Sequence, residues 1–267
     1  MNKVPSFIQL DGVRKVYRGR KEDFLAVSDV TFDVQAGELV CMVGPSGCGK
    51  TTVLKILAGL HSHEGGTVRI GNSGGSGGGT GSGGGESFDP ARDIGMVFQQ
   101  PLLLKWRRVI ENVLLPAEIL GLNMAEARDR AGDLLDMVGL TGFAQSYPYE
   151  LSGGMQQRAA IARALVHDPK LILMDEPFGA LDALTREKMN LELLRIWSES
   201  GKTIVFVTHG IQEAVFLGSR VVVLTAGPAR MADNFLVDLP YPRTLDMKTQ
   251  EAFGEYTRRI YKLLGME

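Results

Sequence analysis

The stretch LVCMVGPSGCGKTT, residues 39–52, runs from a short apolar segment through a glycine-rich turn into the helical pattern TTVLKILAGL. From Gly44 it matches G-x-x-x-x-G-K-[ST], with the strand before it and the helix after it that this motif requires. Gly44, Gly47 and Gly49 let the backbone turn through Pro45, which has no N–H to give, so that the N–H groups of Ser46, Cys48 and the Lys50-Thr51-Thr52 run converge on phosphate oxygens at a positive helix end. Lys50 adds a point charge for the β- and γ-phosphates, and the Thr51 hydroxyl suits Mg²⁺. The motif specifies ATP or a related nucleotide, bound with Mg²⁺, but not what the nucleotide is used for.

Outward from this loop, strands and helices alternate. Residues 7–40 read as a small antiparallel sheet leading into strand Leu39–Val43, and GTVRI, 66–70, is a further strand. IGMVFQQ is a strand, VIENVLLPAEILGL is helical or interrupted at Pro116, and MAEARDRAGDLLDMVGL has apolar residues at helical spacing with a glycine stop. Ser152 is a natural N-cap for GGMQQRAAIARALV. LILMDEP, TIVFVTH and VVVLT are apolar strands of the kind buried on both faces of a parallel sheet. TREKMNLELLRIWSES and EAFGEYTRRIYKLL read as helices, the second amphipathic. This order predicts an α/β fold: a mostly parallel sheet covered by helices, with a peripheral antiparallel part.

Composition narrows the class. The 267 residues carry a net charge of −2, which gives no overall attraction to nucleic acid or to an anionic membrane. The start, MNKVPSFIQLDG, lacks the apolar core of a signal peptide, and no apolar run is long enough to span a bilayer. Work at a membrane therefore requires a partner. Cys41 and Cys48 are the two cysteines, expected as buried thiols rather than a disulfide framework. Cys48 lies within the phosphate loop, so its alkylation is expected to block ATP binding.

Two further motifs decide the job. LILMDEP puts Asp175 and Glu176 at the C-terminal end of a buried strand, where open α/β sheets bind ligands. Asp175 suits holding Mg²⁺ through a water, and Glu176 suits orienting or deprotonating an attacking water. LSGGMQQR, residues 151–158, opens a second helix on Ser152, Gly153 and Gly154, giving a second anion-binding helix end. With LSGG in place the chain resembles the ATP-binding cassette (ABC) ATPases. The resemblance extends from about Phe7 to Thr225 and implies a composite site, in which the LSGG loop of one subunit closes on the nucleotide of another. It also implies that Tyr17 stacks on adenine and that Gln99, in MVFQQP, reaches Mg²⁺ and the attacking water. FGALD, 178–182, would cross the dimer interface, and His209 would contact the γ-phosphate. Departures from the usual pattern are Met155 for Gln and Gly210 where many relatives carry Asp.

PLLLKWRRVIENVLLP resembles the segment following this glutamine in importers of nitrate, sulfonate, taurine and related nutrients, with Lys105 in place of the usual Pro. The branch implies a groove bordered by residues 99–112 that grips a permease helix, while Trp106 also reads as plain packing in the helical lobe. The expected organisation is an ATPase domain over 1–240, with a helical part at about 100–165, and a helical tail at 241–267. The expected partners are integral-membrane permease subunits, a second ATPase subunit and, indirectly, a solute-binding protein, at the cytoplasmic membrane face. An exporter ATPase and a soluble non-transport ABC protein are the alternatives. Finally, residues 73–85 hold nine Gly, three Ser and one Thr. The tract looks like a linker interrupting a loop, or a natural low-complexity loop, and has no Lys to make it a phosphate site.

Overall fold

A computed structural model describes residues 6–19, 22–71, 88–225 and 227–266. The glycine tract lies outside the described residues. Among the described residues nine strands form one sheet: β1 (Ile8–Tyr17), β2 (Phe24–Val34), β3 (Leu39–Val43), β4 (Gly65–Ile70), β5 (Ile94–Val97), β6 (Leu171–Asp175), β7 (Thr203–Thr208), β8 (Arg220–Leu224) and β9 (Ala229–Leu236). Their order is β4-β1-β2-β9-β8-β3-β7-β6-β5. From β8 to β5 every pairing is parallel, whereas β4, β1 and β2 pair antiparallel. The helices are α1 (Lys50–Leu57), α2 (Pro90–Asp93), α3 (Val109–Ile119), α4 (Met124–Met137), α5 (Gly153–Leu165), α6 (Ala183–Ser200), α7 (Ile211–Leu217) and α8 (Glu251–Leu263).

The alternation of side chains along each strand explains why the central strands are apolar throughout. Leu39, Cys41 and Val43 of β3 face the core under α3 to α7, while Val40 and Met42 face the core under α1. The same split holds for β6, β7 and β8, so both faces are covered and every position but Arg220 at the start of β8 is buried.

One element decides between two sequence readings and another was not foreseen. Helix α3 continues through Pro116, the helical of the two readings. There the missing N–H gives up one intrahelical bond, while Asn112, a turn earlier, ties its amide to the carbonyls of Leu104, Arg107 and Arg108. Strand β9 has no apolar alternation to reveal it; it joins the two parts of the sheet by pairing antiparallel to β8 and parallel to β2.

Gly71 and Phe88 lie against each other, since a Cβ on Gly71 would meet the Phe88 Cβ at 2.6 Å. Phe7 holds both, accepting from the Gly71 N–H at 2.8 Å and meeting the Phe88 ring edge-on at 5.8 Å.

Candidate nucleotide site

Beyond Val43 the chain must reverse into α1 within a few residues, and two glycines permit it. Gly47 and Gly49 have φ of 75° and 108°, a region that residues with a Cβ rarely enter. At Gly49 a Cβ would also lie 2.8 Å from the Ala26 carbonyl oxygen. The loop wraps the ammonium of Lys50, which is 3% exposed and donates to the carbonyls of Gly44 and Pro45 at 2.8 Å each. Among the described residues no carboxylate pairs with it. A buried cation held by two neutral carbonyls, with the Cys48 Sγ at 4.0 Å, beside the positive end of a helix, calls for an anion.

Thr51, next on α1, donates to Asp175 Oδ1 at 3.0 Å, bringing the end of β6 beside the loop. Burial pushes the Asp175 carboxyl up from its ordinary value, opposed by the Thr51 hydrogen bond and assisted by the negative charge of Glu176. Two hard oxygen donors at this separation fit a small divalent cation such as Mg²⁺, with phosphate and water completing the shell.

Glu176 leaves β6 with φ 45°, in the left-handed region; such a conformation costs a residue with a Cβ about 1 kcal/mol. Its N–H nevertheless donates to the Val207 carbonyl at 2.9 Å. The carboxylate is thereby fixed between two strand ends. Gln99 Nε2 donates to Glu176 Oε2 at 3.3 Å, and His209 Nδ1 lies 3.1 Å from the same oxygen. Gly44, Pro45, Ser46, Glu176 and His209 line a cavity of about 600 Å³.

Thus the structure gathers the phosphate loop, Gln99, Asp175, Glu176 and His209. It leaves Ser152, Gly153 and Gly154 elsewhere, on a separate cavity of about 360 Å³ with Ala180 and Asp182. Ser152 caps α5 as expected, accepting from the Met155 N–H at 3.3 Å. Segment 178–182 links the two places: Phe178 and Gly179 line the first cavity, Ala180 to Asp182 the second. Tyr17 is half-buried near α1, its hydroxyl 3.4 Å from Thr52 Oγ1, with His61 edge-on at 5.8 Å and the Lys15 ammonium over its ring.

Cys48 needs correcting. Its side chain is 1% exposed and belongs to the core under α1, and burial pushes its thiol pKa up despite the neighbouring Lys50. The backbone of Cys48 remains part of the loop, but the thiol is closed off from solvent, 4.0 Å from Lys50 Nζ. A thiol reagent is expected to leave Cys48 unmodified in the folded protein and to label it after denaturation; rapid labelling that ATP blocks would restore the accessible thiol. Trp106 is also settled against packing, being 74% exposed.

Sequence reasoning missed the residues that hold the Gln99 segment. Gln157, fully buried on α5, donates to the Phe98 carbonyl at 2.9 Å. Arg163 donates to the carbonyls of Pro101 and Leu102 at 2.8 Å. The available signal was a glutamine on the face of α5 otherwise filled by Ala160, Ile161 and Ala164.

A phosphate-type loop before α1, an acid pair at a strand end and a parallel sheet covered on both faces define a P-loop nucleotide-binding ATPase. The ABC transporter family model matches residues 27–179. An uncharacterized ABC transporter ATP-binding protein of Methanocaldococcus jannaschii is 42% identical over 97% of this chain and 92% of its own length. An aliphatic sulfonates import ATP-binding protein of Bacillus cereus is 39% identical over 95% and 94%, and a taurine import ATP-binding protein of Yersinia pestis 42% over 95% and 90%. The dimeric post-hydrolysis structure of the ATP-binding cassette MJ0796, bound to ADP and Pi, superposes with a TM-score of 0.75 at 34% identity, covering 87% of this chain and all of that one. The chain belongs to the ABC transporter family as an ATP-binding subunit.

Proposed function

We propose that this chain is the ATP-hydrolysing subunit of an importer for a small nutrient of the nitrate, sulfonate or taurine kind, closing as a dimer at the cytoplasmic face of a membrane. The convergence of Gln99 and His209 on one oxygen of Glu176, together with the buried charge of Lys50, which has no carboxylate partner among the described residues, carries the hydrolytic part. Glu176 would orient the attacking water and take its proton, while Gln99 and His209 hold the carboxylate in place. Lys50 and the loop N–H groups would stabilise charge developing on the γ-phosphate. Thr51 and Asp175 would hold Mg²⁺, which when bound supplies positive charge against the phosphate oxygens.

Separation of Ser152–Gly154 from the cavity lined by Gly44, Pro45, Ser46 and Glu176 supports a site completed by a second subunit, in keeping with the dimeric MJ0796 cassette. An apolar groove of about 420 Å³ between Met96, Phe98, Leu102, Pro116 and Ile119 adjoins the Gln99 segment. It suits the apolar face of a permease helix. Names of relatives that import sulfonates and taurine support the cargo class.

Purification from membranes with a polytopic subunit, followed by reconstitution with a cargo-loaded solute-binding protein, is the test. Stimulated hydrolysis supports import. Association without stimulation favours an exporter, and failure to associate with any membrane subunit favours a soluble ABC protein.

A further inference from the structure

The last carbonyls of a helix have no partner within it. At the C-terminal end of α7 they are taken by side chains from residues 241–243. Arg243 Nη1 donates to the carbonyls of Val215, Phe216 and Gly218 at 2.8, 2.9 and 3.0 Å. Tyr241 donates its hydroxyl to the Leu217 carbonyl at 3.2 Å. Arg243 is 4% exposed, its guanidinium lies 4.1 Å from the centre of the Tyr241 ring, and Nη2 reaches the Val237 carbonyl at 3.4 Å. Among the described residues it has no carboxylate partner. Its charge instead faces the negative end of a helix, which stabilises it there.

The other end of α7 is the nucleotide site. Glu213, in its first turn, accepts from the Thr208 hydroxyl at 2.6 Å, and that hydroxyl accepts from the Gly210 N–H at 2.9 Å. Thr208 and Gly210 flank His209, so the position of α7 is imposed on the backbone at both sides of it. The helix rises only about 10 Å from end to end, and a shift at its clamped end reaches His209 undiminished.

We infer that Arg243, seconded by Tyr241, is a positioning residue for His209, acting through α7; the segment that carries it lies beyond the matched family region, 27–179. The inference rests on the hydrolytic reading above. Displacement of a reacting group by an ångström is enough to slow a reaction without weakening binding.

Steady-state ATP hydrolysis by the full chain, together with imidazole spectra of ¹⁵N-histidine-labelled protein, tests it; His209 is one of four histidines. Arg243→Ala is expected to lower kcat about tenfold while KM for ATP stays within about twofold, and Arg243→Lys to restore part of the loss. The His209 signal should move in Arg243→Ala and those of His61 and His63 should not. An unmoved His209 signal, or an unchanged kcat in an enzyme that hydrolyses ATP, overturns the inference. Should Arg243→Ala fail to fold, Tyr241→Phe removes only the bond to Leu217 and is expected to cost about twofold to threefold in kcat with the same signal moved; wild-type behaviour in both readouts overturns it. A wild-type chain without hydrolysis defeats the hydrolytic reading instead, and the His209 signal still decides the positioning.

Discussion

Glu176→Gln is expected to bind ATP normally, to accumulate as an ATP-bound dimer, and to turn over about 10²–10³-fold more slowly, a loss of about 3–4 kcal/mol in the chemical step. The amide keeps the size of the side chain and can still meet Gln99 and His209, whose nitrogens lie 3.3 and 3.1 Å from Glu176 Oε2. What it loses is the capacity to take a proton from water at neutral pH. Dimerisation in ATP, followed by light scattering, together with the single-turnover rate, checks both halves. Ordinary turnover in this variant would remove Glu176 from the chemistry, whatever the dimer does.

Lys50→Ala has the second large effect, at the level of binding. The Lys50 ammonium is buried and held by the carbonyls of Gly44 and Pro45. Without it, those carbonyls face the phosphates with no cation between, so repulsion is added to a lost attraction. Removing one partner of a buried charge pair costs about 2–5 kcal/mol, and a fall in ATP affinity of about 10²-fold or more is expected by calorimetry. Affinity within a few-fold of wild type would show that the loop N–H groups alone carry the phosphates. Arginine should not substitute: its planar fork is wider than the space the loop leaves around a point charge.

Where the chemistry is local, the sequence was readable. The Gly44–Thr52 loop, the Asp175-Glu176 pair and the Ser152 cap each depend on residues within one turn of one another, so spacing alone gives their shape. The alternating apolar strands gave the layered sheet for the same reason. Strand β9 was hidden because its residues, ARMADNFL, earn their place by pairing with β8 and β2, which their own pattern does not announce. Helix α7 is too short for its period to stand out, and its clamp comes from Tyr241 and Arg243, more than twenty residues downstream. Cys48 illustrates the converse. Its position in the loop was clear, but which way its side chain points depends on the core beneath α1.

Contact between Gly71 and Phe88 means that the chain leaves and re-enters the fold at a single point. Whatever joins those residues closes a ring whose entropic cost grows only with the logarithm of its length. The rim of the sheet therefore has a port: a fluorophore-bearing peptide or a small folded domain with neighbouring termini can be spliced there, giving a handle on the working motor that lies apart from the residues that hold phosphate.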